Sequence, residues 1–184
     1  MKATDGFTSS NLIGVGSFGT LYKGILSDGE KPISIKVLNL EQIGSSKSFV
    51  TECEALRKTR HGNVLKIITA CSSVNHAGDD FKALVFEYMA NGSLEDWLHS
   101  REDTSHQERN LSLSQWLNIA INVACALEYL HQHCETPIVH CDLKPANVLI
   151  NEDMTAHVGD FGLAKFLTVN SSNSDGGQTN SLSI

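Results

Sequence analysis

What this chain has little of narrows its class before any motif is read. No apolar run approaches the ~18 residues that a membrane-crossing helix needs, so no span is expected. The opening residues Met1-Lys2-Ala3-Thr4-Asp5-Gly6 carry no apolar stretch, so no secretory leader is expected either. No basic block stands out and the formal charge is −7, which argues against a generic nucleic-acid binder. The five cysteines, at 53, 71, 125, 134 and 141, are odd in number and form no C-x-x-C pair. That excludes a disulfide framework and a zinc ribbon, and a reduced, cytoplasmic setting is expected. His131-Gln132-His133-Cys134 has no second ligand group at finger spacing and is read as a helix end. With 41% apolar and 19% charged residues, 184 residues suffice for a globular fold with a real core.

The informative stretch is His140-Cys141-Asp142-Leu143-Lys144-Pro145-Ala146-Asn147, with the apolar Val148-Leu149-Ile150 behind it. Thirteen residues after Asn147 comes Asp160-Phe161-Gly162. A carboxylate that can accept a hydroxyl proton, beside an ammonium, a carboxamide and a second carboxylate, suits phosphoryl transfer. That reaction needs positioning and charge neutralisation more than covalent help. The two segments resemble the catalytic loop (H-R-D-x-K-x-x-N) and the D-F-G of protein kinases.

After a lead-in over residues 1–12, read as one turn of helix anchored by Phe7 and Leu12, Ile13-Gly14-Val15-Gly16-Ser17-Phe18-Gly19-Thr20-Leu21 has G-x-G-x-x-G spacing. Glycines there let backbone amides approach phosphate oxygens. Dinucleotide-binding folds share this spacing, and Glu41 stands near the distance at which they place an acid. Those folds need a helix straight after the glycines. Here Leu21 to Leu26 alternates and runs into Ser27-Asp28-Gly29-Glu30, a hairpin signal, so antiparallel strands are expected. The returning strand, 31–38, holds Lys36 among apolar neighbours, where an ammonium needs an anionic partner.

A helix is expected over 45–59, with Phe49, Cys53 and Leu56 on one face. Of its acids, Glu52 is taken as the inward one and Glu54 as a surface residue. A glycine turn at His61-Gly62 is expected to end it. Two apolar runs, 64–70 and 83–89, read as a second hairpin. Asn91 to Leu98 reads as a short capped helix, and 100–110 as a solvated loop. Ser112 with Gln115 forms a capping box opening a helix to about His133. Its stripe is Trp116, Ile119, Ala120, Val123, Leu127 and Leu130, and Pro137 marks its end.

Together these words resemble protein kinases over residues 13 to about 167. Ala3-Thr4-Asp5-Gly6-Phe7, Asn91-Gly92-Ser93-Leu94 and Glu135-Thr136-Pro137-Ile138-Val139-His140-Cys141-Asp142 resemble plant leucine-rich-repeat receptor-like serine/threonine kinases. The resemblance implies an α+β bilobal fold. The small lobe and hinge strand would be 13–89, part of the large lobe 90–167, and a polar, mobile activation segment 168–184, with Ser171, Ser172, Ser174 and Thr179 as phosphosites. It implies ATP and Mg²⁺ as cofactors, a protein Ser/Thr hydroxyl as substrate, and other receptor-like kinases as partners. It places the chain in the cytoplasm, at the cytosolic face of the plasma membrane within a full-length receptor.

It also implies roles. Asp142 would orient and deprotonate the hydroxyl, and Lys144 would steady the γ-phosphate. Lys36, paired with Glu52, would hold the α- and β-phosphates, and Asn147 and Asp160 would bind Mg²⁺. The nucleotide would lie among Ile13, Gly14, Val15, Gly16, Ser17, Phe18, Gly19, Leu21, Ser34, Leu149 and the backbones of Glu87 and Met89, with Phe86 at the rear. His140 and Phe161 are read as packing residues. Two departures from the family pattern stand out. Ser34 replaces the usual Ala, and Cys141 replaces the usual Arg, which points to the non-arginine class. No A-P-E follows Asp160. The alternative expectation is therefore an impaired nucleotide-binding or interaction fragment, with an apolar face of the long helix open to water and little phosphotransfer by residues 1–184 alone.

Overall fold

The computed structural model describes residues 4, 6–16, 18–26, 31–74, 80–99 and 110–167. Ser17, the expected turn Ser27-Asp28-Gly29-Glu30, the loop 100–109 and the segment 168–184 with the expected phosphosites Ser171, Ser172, Ser174 and Thr179 lie outside the described residues. A 3-10 turn at Ser9–Asn11 leads into β1 (Leu12–Gly16), β2 (Gly19–Ile25) and β3 (Pro32–Leu38). Then come α1 (Ser45–Lys58), β4 (Ile67–Val74) and β5 (Asp80–Glu87). The five strands form one sheet in the order β1-β2-β3-β5-β4, every pairing antiparallel. Both expected hairpins are therefore present, and no helix follows the glycines.

Strand alternation sorts β3 into two faces. Ile33 and Ile35, with Ala83 and Val85 of β5, form an outer cluster that Phe7, Val37 and Phe81 cover. Phe7 meets the Tyr22 ring edge-on at 5.1 Å, so the lead-in seals this side. Leu38, Leu84 and Phe86 face the other way and join Phe49 and Leu56 of α1, Phe161 and Leu130 in the main core. Ser34 and Lys36 share that inner face by parity.

The second half is helical with short strands. α2 (Leu94–Leu98) and α3 (Leu113–Glu128) both open on capping boxes, Ser93 with Asp96 and Ser112 with Gln115. α3 continues as a wider π-type turn over Tyr129–His133, so the helix reaches the expected residue. β6 (Ile138–Val139) pairs with β9 (Lys165–Phe166), and β7 (Val148–Ile150) with β8 (Ala156–Val158). Asn122 on α3 accepts from the Ala156 amide at 3.0 Å, and Asn63 donates to the Ala156 carbonyl at 3.1 Å, so β8 is fastened from both sides.

Two local expectations are corrected. α1 ends at Lys58 because Thr59 turns extended, its hydroxyl donating to the Leu56 carbonyl at 3.3 Å. Gly62 lies beyond that end and has no left-handed φ, so the glycine does not cap the helix. The α3 stripe also divides. Of the expected residues Ile119 and Leu130 are buried, whereas Trp116 is 36% exposed; off that stripe Ala126 is buried and Leu117 is 60% exposed. Trp116, Ala120, Val123, Leu127, Leu143 and Pro145 line an open groove of about 470 Å³. The outer face of α3 is thus apolar and in water, as expected.

Core truncation should separate these environments. Leu84→Ala, at a fully buried position, is expected to lower the unfolding free energy by about 2–5 kcal/mol in urea titration. Leu113→Ala, at 86% exposure, should change it by less than about 0.5 kcal/mol.

Candidate active site

Three elements converge on one ammonium. Lys36 Nζ, on β3, donates to Glu52 Oε2 of α1 at 2.9 Å and to Asp160 Oδ1 in the loop after β8 at 2.9 Å. Glu52 is 1% exposed, the Lys36 side chain 17% and that of Asp160 41%. α1 presents Glu52 inward because Ser45, Ser48, Phe49, Ala55 and Leu56 make up the rest of its buried face. Glu54, two residues on, points to water and pairs with Lys58 at 2.8 Å, as expected of the surface acid.

The electrostatics follow from burial and these contacts. Burial pulls the Lys36 ammonium down, but Glu52 and Asp160 outweigh it and hold it above the usual lysine value. Burial pushes the Glu52 carboxyl up and nearby Asp160 adds to this, while Lys36 and the Phe161 N–H oppose it.

The second cluster is the loop after β6. Lys144 Nζ donates to Asp142 Oδ2 at 2.7 Å, and Asn147 Nδ2 donates to the same oxygen at 3.1 Å and to the Asp142 carbonyl at 2.7 Å. The Lys144 hydrogen bond holds the Asp142 carboxyl below the usual carboxylate range, with Asn147 contributing, so it is ionised at neutral pH. His140 is buried. Its Nε2 donates to the Gly159 carbonyl at 2.9 Å while Nδ1 accepts from the Asp142 amide at 3.3 Å, which fixes the tautomer. Its ring lies 4.8 Å from that of Phe161. Both residues pack, as expected.

Gly159 ties the two clusters together, a role that motif reading missed. Its carbonyl takes His140 and its amide donates to the Asn147 carbonyl at 2.9 Å. A side chain there would press on Leu65 at 3.1 Å. A glycine directly before Asp160 was the available signal. Asp160 itself has φ 59° and Cys141 φ 63°, left-handed conformations adopted where both loops turn.

The remaining expected residues are distributed as follows. Gly16 pairs with Gly19 across the β1–β2 end, Leu21 pairs with Lys36, and Ser34 pairs with Lys23 and Phe86. Gly14 has open space where a Cβ would stand and Gly16 would place one in ordinary contact with the Gly19 carbonyl at 3.6 Å, but one on Gly19 would strike the Val37 carbonyl. Gly19 is thus required by the sheet. Ile13 and Val15 are exposed, and Phe18 is half-buried with its carbonyl accepting from Asn39. Phe86 and Met89 are buried, Glu87 is at the surface, and Leu149 is half-buried on β7.

The protein kinase domain family matches residues 7–181. The chain belongs to that family. It is 53% identical over 167 residues to the receptor kinase-like protein Xa21 of Oryza sativa subsp. japonica, covering 91% of this chain and 16% of that protein. It is 52% identical over 168 residues to the LRR receptor-like serine/threonine-protein kinase EFR of Arabidopsis thaliana, covering 90% and 16%. The LRR receptor-like serine/threonine-protein kinase GSO1 of the same plant is 42% identical over 173 residues, covering 92% and 14%. This kinase domain chain therefore spans about a sixth of the length of the curated relatives it matches.

In this kinase domain the cation between two carboxylates can be tested through its pH dependence. Lys36→Met leaves Glu52 buried beside Asp160 without its ammonium. The folded-state pKa of Glu52 then stands above the unfolded one. Its contribution to stability is intact below the unfolded value and is lost as pH rises through the folded one. The substitution is expected to cost about 3–5 kcal/mol at neutral pH and less on acidification, as read by urea unfolding across a pH series.

Proposed function

We propose that this domain transfers the γ-phosphoryl group of Mg²⁺-ATP to a serine or threonine hydroxyl of a protein. The observation that carries this is the pair of clusters just described: Lys36 between Glu52 and Asp160, and Asp142 between Lys144 and Asn147. The first supplies a fixed cation for phosphate oxygens. The second supplies an ionised base already aligned by two donors.

Two oxygen donors remain for a hard cation. Asn147 commits its amide nitrogen to Asp142, which leaves its oxygen as acceptor, and Asp160 uses Oδ1 for Lys36, which leaves Oδ2. Among the described residues no group of three His, Cys, Asp or Glu forms a metal cage. One carboxylate and one amide oxygen fit Mg²⁺, which keeps waters and takes phosphate oxygens for its other ligands. When bound, the metal nucleotide supplies the phosphoryl group and the charge neutralisation.

In this reading Asp142 Oδ orients the substrate hydroxyl and accepts its proton. Lys144 neutralises the developing charge, and its place two residues after the acid favours Ser/Thr over Tyr. Lys36 anchors the α- and β-phosphates. Gly14 and Gly16 leave room for phosphate to reach backbone amides, Ile13, Val15, Phe18, Gly19 and Leu21 shape the roof, and Leu149 floors the base. Ser34 takes a position by the base, and Glu87 and Met89 offer backbone hydrogen bonds. Protein substrates, receptor-like kinase partners and a site at the cytosolic face of the plasma membrane complete the proposal.

The test is transfer from γ-labelled ATP to a Ser-containing protein. Asp142→Asn is expected to lower turnover by about 10²–10⁴-fold, and chelation of Mg²⁺ should abolish it. The exposed face of α3 favours a second reading, a domain that binds nucleotide and docks through that face. Mg²⁺-ATP stabilisation without any transfer would select it.

Cys141 extends the proposal to regulation. Its thiol is exposed, lies 3.5 Å from the Val139 carbonyl, and offers no charge for a phosphorylated activation segment. Cys141→Arg is expected to make turnover sensitive to phosphatase treatment, with the wild type less affected.

A further inference from the structure

Ser48 and Gly162 meet where α1 lies over the Asp160 loop. Ser48 stands one helical turn before Glu52 on the buried face of α1 and is 4% exposed. A Cβ placed on Gly162 would overlap the Ser48 hydroxyl oxygen. The next atoms, Ser48 Cβ at 3.4 Å and Asp160 Oδ1 at 3.5 Å, would be in ordinary contact. Gly162 does not have a left-handed φ, so its backbone conformation does not call for glycine. Volume does. The hydroxyl of Ser48 occupies the space that glycine leaves empty.

The two segments in this contact also carry the two carboxylates of Lys36. Glu52 takes the Lys36 ammonium and the Phe161 N–H, and Asp160 takes the same ammonium. We infer that the Ser48–Gly162 contact is the seat that fixes the distance between α1 and the Asp160 loop. Ser48 is thereby a positioning residue for Lys36. Glu52 is one turn away on the same helix and must follow if α1 is lifted. Lys36, on β3, cannot follow both carboxylates at once. A single extra methyl at the seat must displace the Ser48 hydroxyl, and where that buried side chain has no room to turn aside it opens the Lys36–Glu52 or the Lys36–Asp160 contact. The consequence for nucleotide binding rests on the kinase reading; the seat itself does not.

The test is a cycle of Gly162→Ala, Ser48→Ala and the double substitution, read by urea unfolding and by titration with Mg²⁺-ADP. Gly162→Ala is expected to weaken Mg²⁺-ADP binding about ten-fold, the scale of one forced methyl in a packed interior, and to lower the urea midpoint. Adding Ser48→Ala removes the opposing oxygen and should return both readouts to within about two-fold of the Ser48→Ala single variant. Ser48→Leu, in a residue that favours helix, should reproduce the Gly162→Ala loss. A glycine needed only for mobility of its loop predicts no rescue. A double variant as impaired as Gly162→Ala therefore overturns the inference, as does a Gly162→Ala chain equal to wild type in both readouts. If the wild type binds no Mg²⁺-ADP the kinase reading fails, and recovery of the urea midpoint still decides the seat.

Discussion

One ammonium held between two carboxylates is the constraint on which the arrangement depends. Lys36 comes from the sheet, Glu52 from the helix laid across it, and Asp160 from a loop 124 residues along the chain from Lys36. Three segments distant in the chain thus meet at one nitrogen atom. Such a triad costs desolvation, and buried ion pairs of this kind are weak sources of stability. Under the proposed function its presence is explained by chemistry, because a fixed cation reaching the surface on one side suits phosphate oxygens.

The loop of Asp142 solves a different problem. There the acid is open to water, and what matters is direction. His140, fixed in one tautomer by Gly159 and the Asp142 amide, anchors the turn from beneath. Asn147 closes it by binding both the backbone and the carboxylate of Asp142. Gly159 sits in both arrangements, so movement of the Asp160 loop would be felt at Asp142 through two hydrogen bonds. Two reactive centres are thereby joined through the backbone of one glycine.

Much of this was readable from residues alone, and the reason is local. Capping boxes, alternating strands and a lysine amid apolar neighbours each state a requirement within a few positions, and Ser112, Lys36 and Glu52 met theirs. The residues that were missed act over distance. Asn122 and Asn63 fasten β8 from separate elements, and Gly159 joins two loops. A single asparagine or glycine carries no periodicity that would reveal such a partner. The glycine stop at Gly62 failed for a related reason: Thr59 found a backbone partner first and ended the helix earlier. Family membership follows from both levels together, since the ordered motifs and the close relatives agree on the same segments.

The contact between Gly19 and the Val37 carbonyl changes how the glycine loop should be interrogated. The three glycines invite substitution as a set, as though each loss measured access to phosphate. Alanine at 14 would meet open space and at 16 only an ordinary contact with the Gly19 carbonyl, so a defect there would speak of the ligand. Alanine at 19 would wedge two neighbouring strands apart and carry Lys36, two positions from Gly19's partner Leu38, out of line. An identical drop in activity at 14 and at 19 would thus have two unrelated origins, one in recognition and one in the spacing of the scaffold.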